Sequence, residues 1–376
     1  RVPRVGPRDR NLYQYLLMQP RRFATLASMS LHPAPQEQDL DGLAAFLKAA
    51  GDPLRLEVLQ VLGQNSFGVL ELCEIMAIKQ SGMSHHLKVL AQGGLVERRR
   101  EGNSIFYRRR LPPSDAATGP LQSALFERLD ATPADPLTRQ RLAGVQAQRA
   151  AQSRAFFARH ADDLARHQDL IAEHDQYAEQ ACELLDRAAL GRAANSREPG
   201  ERRGIALEIG PGEGRFLAPL ASRFERVLAL DNAEVMLARA RERVAGQGLD
   251  NVELVLGEWP EHGALLPKVD AVVVNMVLHH LPSPSAALEA AARQLNEGGV
   301  LVITDLCRHN QRWAVDACGD FWLGFEEADL VSWAGRAGLV LRESLFLAMR
   351  NGFQVQVRSF QRVTAHPSKR EQSGNE

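Results

Sequence analysis

The chain has 376 residues, of which 45% are hydrophobic and 24% charged, and its formal net charge is −1. It is too long for one ordinary core and too apolar for a disordered polymer, so two domains with a connector are expected. The near-neutral total excludes a polycation that coats nucleic acid indiscriminately, and any nucleic-acid-binding face must therefore be local. The sequence starts at Arg1, and residues 1–38 mix Pro, Arg and polar residues without a sustained period. They read as a disordered arm, within which Met29 is a sensible initiator. The cluster from Leu12 to Met18 is too short for a secretory core and no stretch approaches membrane-spanning length, so a soluble, cytoplasmic protein with no membrane partner is expected. Cys73, Cys182, Cys307 and Cys318 lie far apart, without the close pairs of a disulfide framework or zinc site, which fits a reducing compartment.

From about Leu40 the apolar spacing becomes helical, with Asp52-Pro53 marking a helix start because Asp caps and Pro at the first position loses no hydrogen bond. Short helices follow over 69–76 and 81–92, the second stopped by Gly93-Gly94. The period then changes to strand, turn, strand through Val96–Arg100, residues 101–104 and Ile105–Leu111. Between Lys79 and Arg110 eight Lys and Arg side chains face only Glu97 and Glu101, a local surplus of about six positive charges suited to phosphate strands.

Helices leading to Ser81-Gly82-Met83-Ser84-His85-His86-Leu87, then a basic hairpin, form the pattern of a winged helix-turn-helix. The stretches GDPLRLEVLQVL and QSGMSHHLKVLAQGGLVERRREGNSIFYRR resemble the ArsR family of bacterial winged-helix repressors over roughly seventy residues. The resemblance implies a homodimer on double-stranded operator DNA. By position it assigns Gln80, Ser81, Ser84, His85 and Lys88 to the recognition surface, and Arg98, Arg99, Arg100 and Tyr107 to the wing. Arsenic-sensing members carry paired cysteines before the turn. Here Cys73 stands alone, with Ile75 where the second thiolate would be, so that signal is not expected.

After Pro112-Pro113 a helix over 121–129 is expected, then long helices through the Ala-, Arg- and Leu-rich residues 138–190 and a loop over 191–204. From Ile205 strands and helices alternate: strands at 205–209, 226–230, 252–256, 269–274 and 299–304, with helices at 214–223, 233–245 and 284–295. Repeated units of this kind imply a mostly parallel sheet covered on both faces. A helix over 326–337 and a terminal strand pair, 339–349 and 354–362, complete seven strands before a polar tail.

IALEIGPGEGRF places Glu208 near a strand end and Gly210, Gly212 and Gly214 at alternate positions, a turn that lets a ligand approach the backbone. Its G-x-G-x-G spacing differs from the dinucleotide fingerprint. The following strands end in LDNA, LGEWPE and VVNMVLHHL, and LNEGGVLVITD follows one helix later. This ordered set resembles class I S-adenosylmethionine-dependent methyltransferases over roughly residues 150–362. The resemblance implies that Glu208, Gly210, Gly212 and Gly214 surround the methionine portion of S-adenosylmethionine or S-adenosylhomocysteine. Asp231, with Asn232, would bind ribose, Gly257, Glu258 and Trp259 adenine, Met236 the adenosine, and Asn275 the substrate mouth. Phe156 and Phe157 stand where some relatives place a cap helix. No catalytic base is assigned. No metal site is expected either: the adjacent His85-His86 on a helix point in different directions, and so, it is expected, do His279-His280 in the structural turn after the fourth strand.

The fold expected is thus multidomain α/β: an arm (1–38), a winged helix (39–112), dimerisation or linker helices (113–150), a Rossmann-like methyltransferase domain (151–363) and a tail (364–376). Two functions follow. One is a DNA-binding regulator responsive to the methyl donor or its product. The other is an active methyltransferase on a small molecule or macromolecule, with the winged helix serving autoregulation.

Overall fold

In the computed structural model, residues 40–63, 65–101, 104–112, 118–190 and 203–363 are described. The expected arm and tail, and most of the loop over 191–204, lie outside the described residues.

The N-terminal elements are α1 (Leu40–Ala50), α2 (Pro53–Val61), β1 (Phe67–Gly68), α3 (Val69–Met76), α4 (Gln80–Gln92), β2 (Val96–Glu101) and β3 (Ser104–Arg109). Asp52 caps α2 by accepting from the Arg55 amide at 2.9 Å, and Glu71 reaches back to the Gly68 amide at 2.7 Å to cap α3. The strands pair antiparallel in the order β1-β3-β2. Met83, Leu87 and Leu90 on one face of α4 are fully buried with Leu59, Phe67, Leu72 and Ile75. That fixes the opposite face of α4 toward solvent.

Three helices follow: α5 (Gly119–Asp130), α6 (Pro136–Ile171) and α7 (His174–Leu190). Asp135 caps α6 through the Leu137 and Thr138 amides, with Pro136 at its first position. This 36-residue helix is continuous across residues 150 and 151, where the sequence reading changes from connector to cofactor domain. Its Val145 packs in the winged-helix core and its Ile171 in a core of the next domain.

The remainder comprises β4 (Arg203–Ile209), α8 (Leu217–Ala221), β5 (Phe224–Asp231), α9 (Glu234–Gln247), β6 (Val252–Leu256), β7 (Val269–Asn275), α10 (Pro284–Gln294), β8 (Leu295–Leu306), α11 (Trp313–Cys318), α12 (Glu327–Arg336), β9 (Leu339–Ala348) and β10 (Gln354–Arg362). The seven strands form one sheet in the order β6-β5-β4-β7-β8-β10-β9. All neighbours run parallel except β10, which is antiparallel to both β8 and β9. One face is covered by α7, α8 and α9 around Phe224 and Val227, the other by α10 and α12 around Leu288 and Leu330.

The helix expected over 214–223 is shorter. Gly210, Gly212 and Gly214 all have positive φ (65°, 54° and 76°), so the chain is still turning where helix was expected. No helix among the described residues is long and apolar enough to cross a membrane.

Candidate cofactor pocket and nucleic-acid interface

The order β5-β4-β7 reverses the direction of strand addition at β4, and the strand ends flanking such a switch open into a crevice. A cavity occupies that position. The strand-end residues Glu208, Asp231, Glu258 and Asn275 line it, with Gly210, Gly212 and Gly257 forming backbone wall and Asn232, Met236 and Trp259 its sides. Every ligand residue expected from the sequence except Gly214 thus lies on one cavity. Gly214 stands behind it, where an added Cβ would come 2.9 Å from Leu217 and 3.2 Å from Ala240. At Gly210 the obstacle is Val277, 2.7 Å away.

Glu208 is 2% exposed. Burial, reinforced by the charge of Asp231, pushes its carboxyl up to about 8. Asn275 pulls the other way, yet neither of its amide atoms completes a hydrogen bond within the protein, and Oε2 of Glu208 completes none either. Asp231 accepts from the Ala233 amide at 2.9 Å and the Gly212 amide at 3.3 Å. Burial outweighs these bonds and raises its carboxyl to about 6. Trp259 is anchored from behind, its indole N–H donating to the Ala287 carbonyl at 3.2 Å. The carboxylate of Glu258 pairs with Arg154 and accepts from the Asn232 amide group at 3.3 Å.

Arg154 belongs to α6, and this helix supplies a cavity wall: Phe157, expected as part of a cap helix, and Ala150, Ser153, Gln168 and Asp169, which no sequence motif announced. Phe156 and Phe157 pack on Met236, which agrees with a helix capping the pocket. Asp169 receives Arg215 at 3.0 Å across the opening. His174 and Tyr177 of α7 add to the wall.

His279 and His280 do not diverge as an α-helical pair would. They sit in a 3-10 turn after β7 with ring centroids 4.0 Å apart, and a ring nitrogen of each lies 3.7 Å from Oδ1 of Asp320. The other nitrogen of His279 meets Asp305 at 2.8 Å. Burial opposes protonation of His279, but Asp305 and Asp320 outweigh it and hold the imidazolium up to about 9. Burial and neighbouring His279 drive His280 well below the usual range. The expectation of non-converging histidines is corrected by this turn geometry.

On the winged helix, Gln80, Ser81, Ser84, His85 and Lys88 share the exposed face of α4. Arg98 is exposed on β2. Arg99 points the opposite way, as alternate strand residues must, and is 4% exposed, donating to the Gly324 carbonyl of the other domain. Arg108 pairs with Glu97 and Asp329. Arg109 pairs with Asp130 at 2.8 Å and lies over the Phe126 ring. Tyr107 packs toward the winged-helix core. The side chain of Arg100 lies outside the described residues. The expected DNA-facing wing is therefore corrected at Arg99, while Tyr107 remains partly exposed on β3. The local charge surplus is smaller than counted, because Arg99, Arg108 and Arg109 are engaged within the protein.

A methyltransferase-domain family matches residues 207–303, and a helix-turn-helix-domain family matches residues 50–99. Over 65 residues the chain is 40% identical to an uncharacterized HTH-type transcriptional regulator of Methanocaldococcus jannaschii, spanning 17% of this chain and 73% of that protein. It is also 34% identical over 79 residues to the transcriptional repressor SmtB homolog of Synechocystis sp., spanning 21% of this chain and 55% of that one. The chain belongs to the ArsR-like helix-turn-helix family. In this ArsR-like protein the DNA-binding domain is fused to a class I methyltransferase-type Rossmann domain, whose sheet order and glycine turn are described above. That domain is 34% identical over 110 residues to protein-L-isoaspartate O-methyltransferase 2 of Polaromonas sp., spanning 28% of this chain and 46% of that protein. The ArsR-like chain thus spans about half the length of that methyltransferase and of the SmtB homolog.

Proposed function

We propose that this chain is a DNA-binding transcriptional regulator whose operator affinity is set by S-adenosylmethionine or S-adenosylhomocysteine held in the Rossmann pocket. The residues present fit such a ligand. The unpartnered Glu208 and Asn275 atoms and the Gly210–Gly212 turn suit its amino-acid portion, Asp231 its ribose hydroxyls, and the Gly257–Glu258 backbone and carboxylate its adenine. When bound, the methyl donor supplies a sulfonium-activated methyl group.

The observation that carries the regulatory reading is Arg149. It is 5% exposed on α6, beside the cavity-lining Ala150. Its guanidinium donates to both carboxylate oxygens of Glu71 and to the Ser66 carbonyl on the winged-helix side, and to the Pro282 carbonyl on the pocket side. A ligand that repositions α6 must act on these contacts. It changes DNA affinity only insofar as it favours one arrangement of them over another. In this reading residues 39–112 bind a palindromic operator as a dimer, residues 113–150 dimerise and couple, and residues 151–363 hold the ligand. Titration of operator DNA with each ligand in turn is the test: a shift in operator Kd supports the proposal, and no shift with either ligand, despite measured ligand binding, ends it.

A second reading, methyl transfer, is favoured by His280, whose Nε2 has no hydrogen-bond partner and whose side chain lines the cavity together with Asn275. Incubation with labelled methyl donor and cell extract tests it, and absence of labelled product from ligand-binding protein counts against it.

A further inference from the structure

The buried group behind the cavity carries an unsolved valence problem. Asp305 and Asp320 are both fully buried, 0% and 2% exposed, within one shell around His279. Asp305 is satisfied: it accepts from the Leu306 amide at 2.7 Å and the His279 amide at 3.3 Å, and meets Nδ1 of His279 at 2.8 Å. Asp320 is not. Neither of its oxygens has a hydrogen-bond partner, and the nearest imidazole nitrogens, one from His279 and one from His280, stand at 3.7 Å. That separation is too long for a hydrogen bond. A buried carboxylate left without hydrogen bonds is costly, so such an arrangement persists where something else completes it.

Two donors that share one ion at about 2.0–2.2 Å lie at most about 4.3 Å apart. The 3.7 Å separations fit that limit as they stand and the three donor atoms all lie within 4.8 Å of one another; closing the set requires a modest side-chain rotation in which Nδ1 of His280 gives up its 3.4 Å contact with the Gly319 carbonyl, and the proton used there, for the ion. The remaining chemistry agrees. Two imidazoles and one carboxylate suit a borderline divalent ion rather than calcium or magnesium. The Asp305 contact holds Nδ1 of His279 as the proton-bearing nitrogen and turns Nε2 toward Asp320, the arrangement by which a carboxylate orients a metal-binding histidine. A dication also balances the two buried carboxylates.

We propose that His279, His280 and Asp320 form a binding site for a divalent first-row transition-metal ion, with Asp305 as the positioning residue for His279. Of the three ligands only His280 lines the cavity, so the ion sits behind the pocket wall and, with three protein ligands, keeps a coordination position for water. It also ties the turn after β7 to the Gly319–Asp320 segment, against which Phe156 of α6 packs.

The test uses full-length protein freed of metal by chelator and titrated with cobalt(II), read by visible absorption. One equivalent of cobalt with nitrogen/oxygen-type d–d bands is expected. Asp320→Asn and His280→Gln are each expected to weaken binding at least about a hundredfold, and Asp305→Asn about ten- to a hundredfold. Failure of the folded wild-type protein to take up cobalt overturns the proposal. So do intense thiolate bands, which would place the ion on Cys307 or Cys318, and so does unchanged affinity in Asp320→Asn, which would leave a proton on His279 as the sole link between the carboxylates. Ligand binding by the same chelated sample, followed separately, reports on the pocket, so failure of the metal site and failure of the regulatory reading are distinguishable.

Discussion

Arg149 forks across both carboxylate oxygens of Glu71, 2.7 Å from each. Glu71 also caps α3, the helix immediately before α4, and Arg149 also stacks against Phe67 and Trp322, one from each domain. Glu71 is partly exposed and keeps the Gly68 amide, so losing Arg149 costs less than the roughly 3–5 kcal/mol of a fully buried pair, but it removes four hydrogen bonds and two ring contacts. Arg149→Met is therefore expected to lower the melting temperature and to bring the operator affinities measured with and without S-adenosylhomocysteine together, while the ligand's own Kd moves much less. Thermal melts, calorimetry and operator titration on the same preparation check all three.

The exposed face of α4 yields a pair of contrasting outcomes. Lys88→Ala is expected to weaken binding uniformly across DNA sequences and to reduce the salt-dependence slope by about one, as for loss of a phosphate contact. Gln80→Ala is expected to cost about 1–3 kcal/mol on the operator and little on unrelated DNA, as for loss of a base contact. Fluorescence anisotropy over a salt series separates them.

Asp329 holds Arg108 of the wing to the methyltransferase-type domain. Asp329→Asn is expected to release this charge, raising non-specific DNA affinity and steepening the salt slope by up to about one counterion. An unchanged slope would mean that the wing's position is indifferent to this contact.

Glu208 is expected to make ligand binding pH-dependent. Its carboxyl is raised by burial to about 8, so in the ligand-free protein its contribution to stability is complete below the ordinary carboxylate range and is lost as pH rises through about 8. A ligand with a cationic amino-acid portion favours the ionised form and expels the proton. Affinity for S-adenosylhomocysteine is thus expected to rise between pH 6 and 8, approaching about tenfold per unit, with proton release visible in calorimetry across buffers of different ionisation enthalpy. Glu208→Gln flattens the profile and weakens binding.

Gly210→Ala is expected to abolish ligand binding, since its φ of 65° disfavours any side chain and the new methyl would meet Val277 at 2.7 Å. Equilibrium dialysis checks it. Gly246→Ala, on open helix surface, serves as the control.

The pocket was legible because parallel strands deliver their terminal residues to one edge: Glu208, Asp231, Glu258 and Asn275 each end or follow a strand whose apolar run is plain in the sequence. The exposed face of α4 was legible because positions 80, 81, 84, 85 and 88 alternate with the buried 83, 87 and 90 at helical period. The opposite faces of Arg98 and Arg99 follow from strand alternation, but what covers the Arg99 face does not. Its partner Gly324 lies more than two hundred residues away, as Ser283 does from Asn65, and one sequence carries no information on such pairs. Of the α6 wall only Phe156 and Phe157 were foreseen, as a cap helix; the rest was missed for the same reason. Its Ala150 and Ser153 have no distinctive chemistry, and their role exists only because the helix crosses a cavity built elsewhere. A turn at His279 and His280 was legible, but the 3-10 geometry that makes the two rings converge spans three residues, too little sequence to announce itself.

With 36 residues, α6 extends over about 54 Å. Because it contributes Val145 to one core and Ile171 to another, neither half of the protein owns it. Severing it would leave each fragment short of a packing surface, so melting is expected as a single calorimetric transition, and such domains cannot be exchanged by simple recombination at a linker: the seam between them is itself a folded element.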